Sequence, residues 1–320
     1  MANERTVIAL GGNAISPAGT AGTAAEQTTN LHRAMAQVAE LVAEGHTQLV
    51  LTHGNGPQVG NVLIKNELAR DVVPPVPLDW CVAQTQATIG FTIANTLSYE
   101  LKRRGQQHPV VPVVSRVLVS RDDPGFAAPS KPIGPYLTDP DEVACRQQGG
   151  QQLVEVPGRG WRRVVPSPRP LASVDRPAVE LLLADGAIVI ANGGGGIPVV
   201  DDVDGPLRGI EAVIDKDLAG ALLAQELDAG IFAILTDVSG VAIGYGTESE
   251  RWLEQVTVAE LRRYEEAGEF AAGSMGPKVA AVRAFVEESG GRGVIAALHD
   301  ALDALHGVVG TRVRRDESDR

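Results

Sequence analysis

The chain has 320 residues, 44% of them hydrophobic and only 4% aromatic, enough for two domains or one large α/β domain whose core is built from Val, Leu, Ile and Ala. A net charge of −12 argues against a nucleic-acid or anionic-membrane surface, since either needs clustered Lys and Arg. Its two cysteines, Cys81 and Cys145, form no Cys-x-x-Cys and no Cys/His cluster, which fits a reducing compartment and excludes a thiolate metal site.

The first apolar run, TVIAL at 6–10, is too short for a signal peptide, and no stretch reaches the roughly 18 apolar residues of a membrane span. A soluble, cytoplasmic protein with no membrane partner is expected. The run reads as a strand and ends in Gly11-Gly12-Asn13. In LHRAMAQVAELVAEG the residues Leu31, Met35, Val38, Leu41 and Val42 form one helical stripe, with Gly45 as the stop. TQLVLT at 47–52 is the second strand and runs into Gly54-Asn55-Gly56, and VVPVVSRVLV at 110–119 reads as a third. AIVIA at 187–191 precedes the glycines 193–196. DLAGALLAQEL is read as a helix with Leu218, Ala221, Leu222 and Gln225 on its stripe, flanked by Leu223 and Leu227. IFAILT at 231–236 is a strand; PKVAAVRAFVEESGG is a helix with Val279, Val282, Phe285 and Val286 inward; GVIAAL at 293–298 is the last strand. Continuously apolar strands alternating with helices predict βαβ units and a mainly parallel sheet covered on both faces.

Residues 121–170 break this rhythm, with nine of the 20 prolines and six glycines. QQLVEV and WRRVV flank Pro157-Gly158-Arg159-Gly160 and read as a hairpin. Fifty such residues exceed an ordinary loop, so a small protruding β subdomain or lid is expected, the alternative being a surface insertion.

Three glycine clusters follow predicted strands. Each alone could serve a tight left-handed turn; three at equivalent places on one sheet edge point to anion binding by backbone N–H groups. There is no Gly-Lys dipeptide, hence no Walker A loop. Gly54-Asn55-Gly56-Pro57-Gln58-Val59-Gly60 misses the dinucleotide spacing by one residue, which weighs against a dehydrogenase, and Ala272-Gly273-Ser274-Met275-Gly276 lacks the first glycine of a nucleophile elbow. His46, His53, His299 and His306 lack partner carboxylates at ligand spacing and read as structural or solvent-facing. No metal ligands are assigned to side chains.

Only five of 28 basic residues are Lys. Lys65 and Lys102 lie in charge-mixed helical contexts and read as surface. Lys131, Lys216 and Lys278 lie in short motifs, the last two in the first turn of a predicted helix, where a cation opposes the dipole. A compact ammonium placed there points to an anionic ligand, the plain alternative being three surface lysines. Asp217 could orient Lys216 or simply favour the helix start. Phosphoryl transfer needs positioning and cations more than covalent chemistry, and this set can supply them.

VIALGGNAI, LTHGNGPQVGN, PSKPIGP, GRGWRRVVPSPRP, ANGGGGIPVV, EAVIDKDLAGALLA, ILTDVSGV and GSMGPKV together resemble the carbamate kinase family, within the amino acid kinase fold, from about residue 6 to 313. The resemblance implies a three-layer αβα sandwich with a mainly parallel central sheet and a protruding lid. Residues 1–205, including the lid at 121–170, would form the carbamate or carbamoyl phosphate half and 206–320 the nucleotide half. It implies reversible phosphoryl transfer between ATP and carbamate, with Mg²⁺ on ATP or ADP, in ATP-forming arginine breakdown, by a homodimer. Gly11, Gly12, Asn13, Gly54 and Asn55, with Gly194 and Gly195 of the third cluster, would hold carbamoyl phosphate. Lys131 would reach in from the lid, Lys216 and Lys278 would bridge the transferring phosphoryl, and Asp217 would organise the lysines. Thr236, Asp237, Val238, Tyr245, Gly246, Met275, Gly276 and Pro277 would form the nucleotide side. Ala9 stands where many relatives carry a lysine before Leu-Gly-Gly, so Lys216 or Lys131 would supply that charge. Trp80, Val82 and Asn192 depart from the commonest forms. Two alternatives remain: a kinase of another small carboxylate or phosphonate, and an inactive nucleotide or anion sensor.

Overall fold

The short apolar runs form one eight-stranded sheet whose strand order is 255–257, 311–314, 292–297, 231–236, 6–10, 49–53, 188–190 and 110–112 in the computed structural model, which describes residues 4–12, 22–202, 205–270 and 274–316. Pairing is parallel throughout except between 292–297 and 311–314. Strands Thr6–Leu10 and Ile231–Thr236 have the expected bounds. They are buried on both faces because their side chains alternate between two cores. Val7 and Ala9 face Phe232, Ile234 and the helices 176–184, 216–226, 258–266 and 275–289; Ile8 and Leu10 face the helices 24–43, 78–103 and 301–305. This is the expected three-layer αβα sandwich. Val279, Val282, Phe285 and Val286 are fully buried as the stripe predicts, and Gly290 closes their helix in the left-handed conformation at φ 71°.

Two expectations are corrected. The run 110–119 is two strands, not one. Val110–Pro112 edges the main sheet, whereas Arg116–Val119 joins a second, four-stranded sheet with 208–209, 197–200 and 170–173. Gln86 on helix 78–103 marks the break: its amide accepts from the Ser115 N–H at 2.8 Å, taking that donor out of the ladder, and donates at 3.0 Å to the Ser115 carbonyl, which also accepts from the Ile197 N–H of the second sheet at 2.9 Å. The helix Lys216–Glu226 is rotated from the stripe read in its sequence. Ala219, Gly220, Ala221, Leu223 and Ala224 are inward, and Leu218, Leu222 and Gln225 are half-buried. Small residues face the sheet because the helix packs closely on Phe232, whose Cε2 would lie 3.1 Å from a Cβ on Gly220.

Within 121–170, strands Lys131–Leu137, Gly160–Val165 and Leu153–Val156 form a separate antiparallel sheet, with the hairpin turning between Val156 and Gly160. Ile133 and Val165 anchor it in a small core with Val59, Leu78, Cys81 and Val82. Among the described residues no helix is long and apolar enough to cross a membrane.

Candidate active site

The site lies beyond the carboxyl ends of strands 6–10, 49–53, 188–190 and 231–236, where loops and helix starts share one crevice. Gly11 N–H is tied to the Leu235 carbonyl at 2.8 Å. Lys216, first residue of its helix, lies across the second glycine loop. A Cβ on Gly54 would stand 3.2 Å from Lys216 Cδ and 3.6 Å from Gly12 Cα, so glycine at position 54 lets the two loops and the lysine come together.

The third loop, Gly193–Gly195, is a single 3₁₀ turn entered through Asn192 at φ 50°. That unfavourable conformation is held by the buried Asn192 amide, which donates to Ser173 Oγ at 3.0 Å and the Ala219 carbonyl at 3.4 Å. Asn55 Nδ2 donates to the Gly194 carbonyl at 3.2 Å, which fixes the amide. Its Oδ1 is buried with no hydrogen-bond partner among the described residues, and an acceptor left so costs about 1–3 kcal/mol, which a donor on a ligand would offset. His53 is buried beside the loop and donates from Nδ1 to the Gly54 carbonyl at 2.9 Å. Burial, reinforced by the Lys216 ammonium, lowers its pKa to about 4, so the ring is neutral near pH 7.

The three motif lysines meet two carboxylates. Lys216 Nζ bonds Asp217, and Lys278 Nζ stands 3.9 Å from the other oxygen of the same buried carboxylate. Lys131 reaches from the lid to Asp215 Oδ2 at 2.6 Å. Three ammonium groups are thus gathered on two carboxylates, with Asp237 acting on Lys278 from the cavity side. Burial lowers the Lys278 pKa, opposed by Asp217 and reinforced by Lys216. Burial pushes the Asp215 carboxyl upward, but Lys131, Lys216 and the helix N–H groups more than offset this, and its pKa lies below the usual range.

Next to this cluster is a cavity of about 590 Å³, within the range of small-molecule sites. Thr236, Asp237, Val238, Tyr245 and Met275 line it, as does Lys278, which therefore borders both the cavity and the carboxylate cluster. Gly246, Gly276 and Pro277 do not line it; Gly246 lies in the turn beside Tyr245, and the other two lie in the first turn of helix 275–289. Asn13 lies outside the described residues. Trp252, Phe270, Thr247, Glu269 and Ser274 line the cavity and were not anticipated. The scarcity of aromatics made Trp252 and Phe270 the findable ones. Asp215 was also missed, because an Asp before a helix has an ordinary capping role. Lys65 and Lys102 are exposed, as expected, and His46 stacks near His306 at 5.9 Å between ring centres.

The sequence profile of the amino acid kinase family matches residues 4–297. The carbamate kinase of Thermococcus kodakarensis is 49% identical over 315 residues, 98% of this chain and 100% of its own. The chain belongs to the amino acid kinase family, in its carbamate kinase branch. The carbamate kinase of Pyrococcus furiosus is 46% identical, covering 97% of this chain and 99% of its own. Carbamate kinase from Giardia lamblia, solved bound to AMP-PNP, superposes with a TM-score of 0.90 at 38% identity over 99% of this chain and 100% of that one. N-acetylglutamate synthase from Neisseria gonorrhoeae, at 15% identity and a TM-score of 0.54, shares the fold.

Proposed function

We propose that the protein is a phosphotransferase that interconverts ATP plus carbamate with ADP plus carbamoyl phosphate, and that the two substrates meet at Lys278. The observation that carries this is Lys278's double position: it lines the 590 Å³ cavity and approaches Asp217, which also holds Lys216. A nucleotide in the cavity and a small anion on the glycine loops would present their phosphoryl ends to the same lysines.

In the ATP-forming direction a terminal oxygen of ADP, already ionised, attacks the phosphorus of carbamoyl phosphate, and carbamate leaves with the electrons of the broken bond. No general base is needed. What the protein supplies is alignment and positive charge on the equatorial oxygens. Lys216 and Lys278 are placed for that charge and Asp217 keeps them apart at fixed points. Gly12, Asn13, Gly54 and Gly194 would offer backbone N–H groups to the transferred phosphate, while Gly11 and Gly195, whose N–H groups bond the Leu235 and Asn192 carbonyls at 2.8 and 3.0 Å, would shape the loops around it. Asn55 Oδ1, buried and without a donor among the described residues, would accept from the carbamoyl amino group. Mg²⁺ would enter as part of the nucleotide substrate, with Asp237 and Glu269 the carboxylates on the cavity wall. Residues 1–205 with the 121–170 lid, and residues 206–320, would serve the two substrates respectively. Trp80 and Phe91, exposed three turns apart on helix 78–103, favour a homodimer through that helix; light scattering on the purified protein tests it.

The decisive assay is ATP formation from ADP, Mg²⁺ and carbamoyl phosphate. Robust turnover is expected. Absence of turnover alongside efficient transfer to another small acid would assign a different acceptor, and nucleotide binding without any transfer would make the protein a sensor.

A further inference from the structure

Asp215 has no role in the transfer as described so far, yet its two oxygens do different work. Oδ1 accepts from Asp217 N–H at 2.9 Å and Leu218 N–H at 3.3 Å, capping the helix that carries Lys216 and Asp217. Oδ2 takes the lid lysine Lys131 at 2.6 Å across 84 residues of sequence. The Asp215 side chain is only 14% exposed and that of Lys131 is 32% exposed, so the pair is partly withdrawn from solvent. The carboxylate therefore ties the lid to the helix start that carries Lys216 and Asp217, the residue that Lys278 approaches from its own helix.

We infer that Asp215 is the positioning residue of the lid: it holds Lys131 at one point above the glycine loops so that the ammonium meets the phosphate already in place. A lysine has four rotatable bonds and loses considerable freedom when it engages a ligand. Pro132 restricts the backbone beside it, but only a partner at the tip restrains the ammonium itself. One N–H of Lys131 is spent on Asp215, and two remain for an anion. Asp215 meets Lys131 through Oδ2 and the helix N–H groups through Oδ1, which makes its contribution to the lid separable from the cap.

The inference rests on carbamoyl phosphate being the substrate held there, and the test separates the two. Asp215→Ser and Asp215→Asn both keep an N-cap acceptor and remove the anionic partner of Lys131. Each is made in the wild-type chain and in a Lys131→Ala chain, with thermal melting to confirm folding. In the wild-type background either variant should raise KM for carbamoyl phosphate and lower kcat/KM roughly tenfold or more, leaving KM for ADP within about twofold. In the Lys131→Ala background the same substitutions should change kcat/KM by less than about twofold, since there is nothing left to position. Equal losses in both backgrounds would mean that Asp215 acts through the helix and Lys216, and would overturn the inference. Wild-type kinetics in both folded variants would overturn it as well. A wild-type protein that makes no ATP from carbamoyl phosphate would overturn the proposed function and this inference together.

Discussion

Lys216 and Lys278 share one carboxylate, and Lys216 passes close over the backbone of Gly54. Lys216 runs along Gly54 and Gly12, with its Cδ 3.2 Å from the place a Cβ on Gly54 would take. Replacing either lysine by Ala should lower kcat about a hundredfold, the usual scale for a contact that matters most when charge develops, with the melting temperature little changed. Arginine should not rescue Lys216, because its planar fork cannot act as a point charge; near-normal kcat in Lys216→Arg would refute this. Asn55 offers a sharper probe. Its amide cannot be reversed without turning an oxygen toward the Gly194 carbonyl, so the free acceptor is Oδ1. Acetyl phosphate has a methyl where carbamoyl phosphate has an amino group. Asn55→Ala should therefore lower kcat/KM about tenfold more for carbamoyl phosphate than for acetyl phosphate. An equal loss on both would reduce Asn55 to a holder of the loop.

Helix 78–103 is the longest element in the fold and left little trace in the sequence reading. Thr85, Thr88, Thr92 and Thr96 repeat on it, β-branched and poorly helical by propensity, and each hydroxyl donates to the carbonyl four residues earlier at 2.8–2.9 Å. Its inward stripe of Ile89, Ile93, Leu97 and Leu101 has a clear four-residue spacing, but the threonines and other polar residues between them dilute it. By contrast, strands 6–10 and 231–236 were legible to the residue, because unbroken apolar runs end at glycine or a polar turn. The lysines of the site were legible through their rarity. Asp215 was not, since its partner is 84 residues away and no local pattern connects them. The break at 112–116 was equally hidden, because it depends on Gln86 from another helix. The carboxyl end of helix 78–103 carries a testable charge cluster. Glu100, 2% exposed, accepts from His32 at 2.6 Å, from Arg103 at 3.1 Å and from Arg104. Burial alone would raise its pKa, but Arg104, His32 and Arg103 outweigh this and depress it to about 2, against an ordinary value of 4.5. A depressed carboxylate stabilises the fold fully above its unfolded pKa, and that contribution is lost as pH falls toward the folded one. Glu100→Gln should cost about 1–2 kcal/mol at pH 7, discounted because the partners are partly exposed. The gap from wild type should close between pH 4.5 and about 2; a gap independent of pH would mean that packing, not charge, is lost.

At the scale of the whole molecule, the lid is joined to the body at contacts that leave little tolerance. Besides the Lys131–Asp215 pair and the Ile133 and Val165 anchor, helix 58–69 meets the lid backbone to backbone: a Cβ on Gly60 would lie 2.6 Å from Gly134 Cα and 2.7 Å from its nitrogen. Gly134 has φ 70° and lies where the register between Lys131–Leu137 and Gly160–Val165 shifts, so that strand is already bent at the point of contact. An added methyl at position 60 cannot be absorbed by a flexible side chain; the neighbour is main chain, and the lid strand itself must move by most of an ångström to reach ordinary contact distance. Lys131 lies three residues from Gly134 on that strand and would move with it, off Asp215 and away from the glycine loops. The nucleotide cavity is lined from Thr236 to Lys278 and includes no residue of the lid. Gly60→Ala should therefore raise KM for carbamoyl phosphate and lower kcat while KM for ADP stays close to wild type. Combined with Lys131→Ala it should add little, because both changes remove the same cation from the same place. Wild-type kinetics in a folded Gly60→Ala protein would show that the lid finds its working position without that contact. A matching rise in KM for ADP would show instead that the displaced strand disturbs the sheet and both substrates with it.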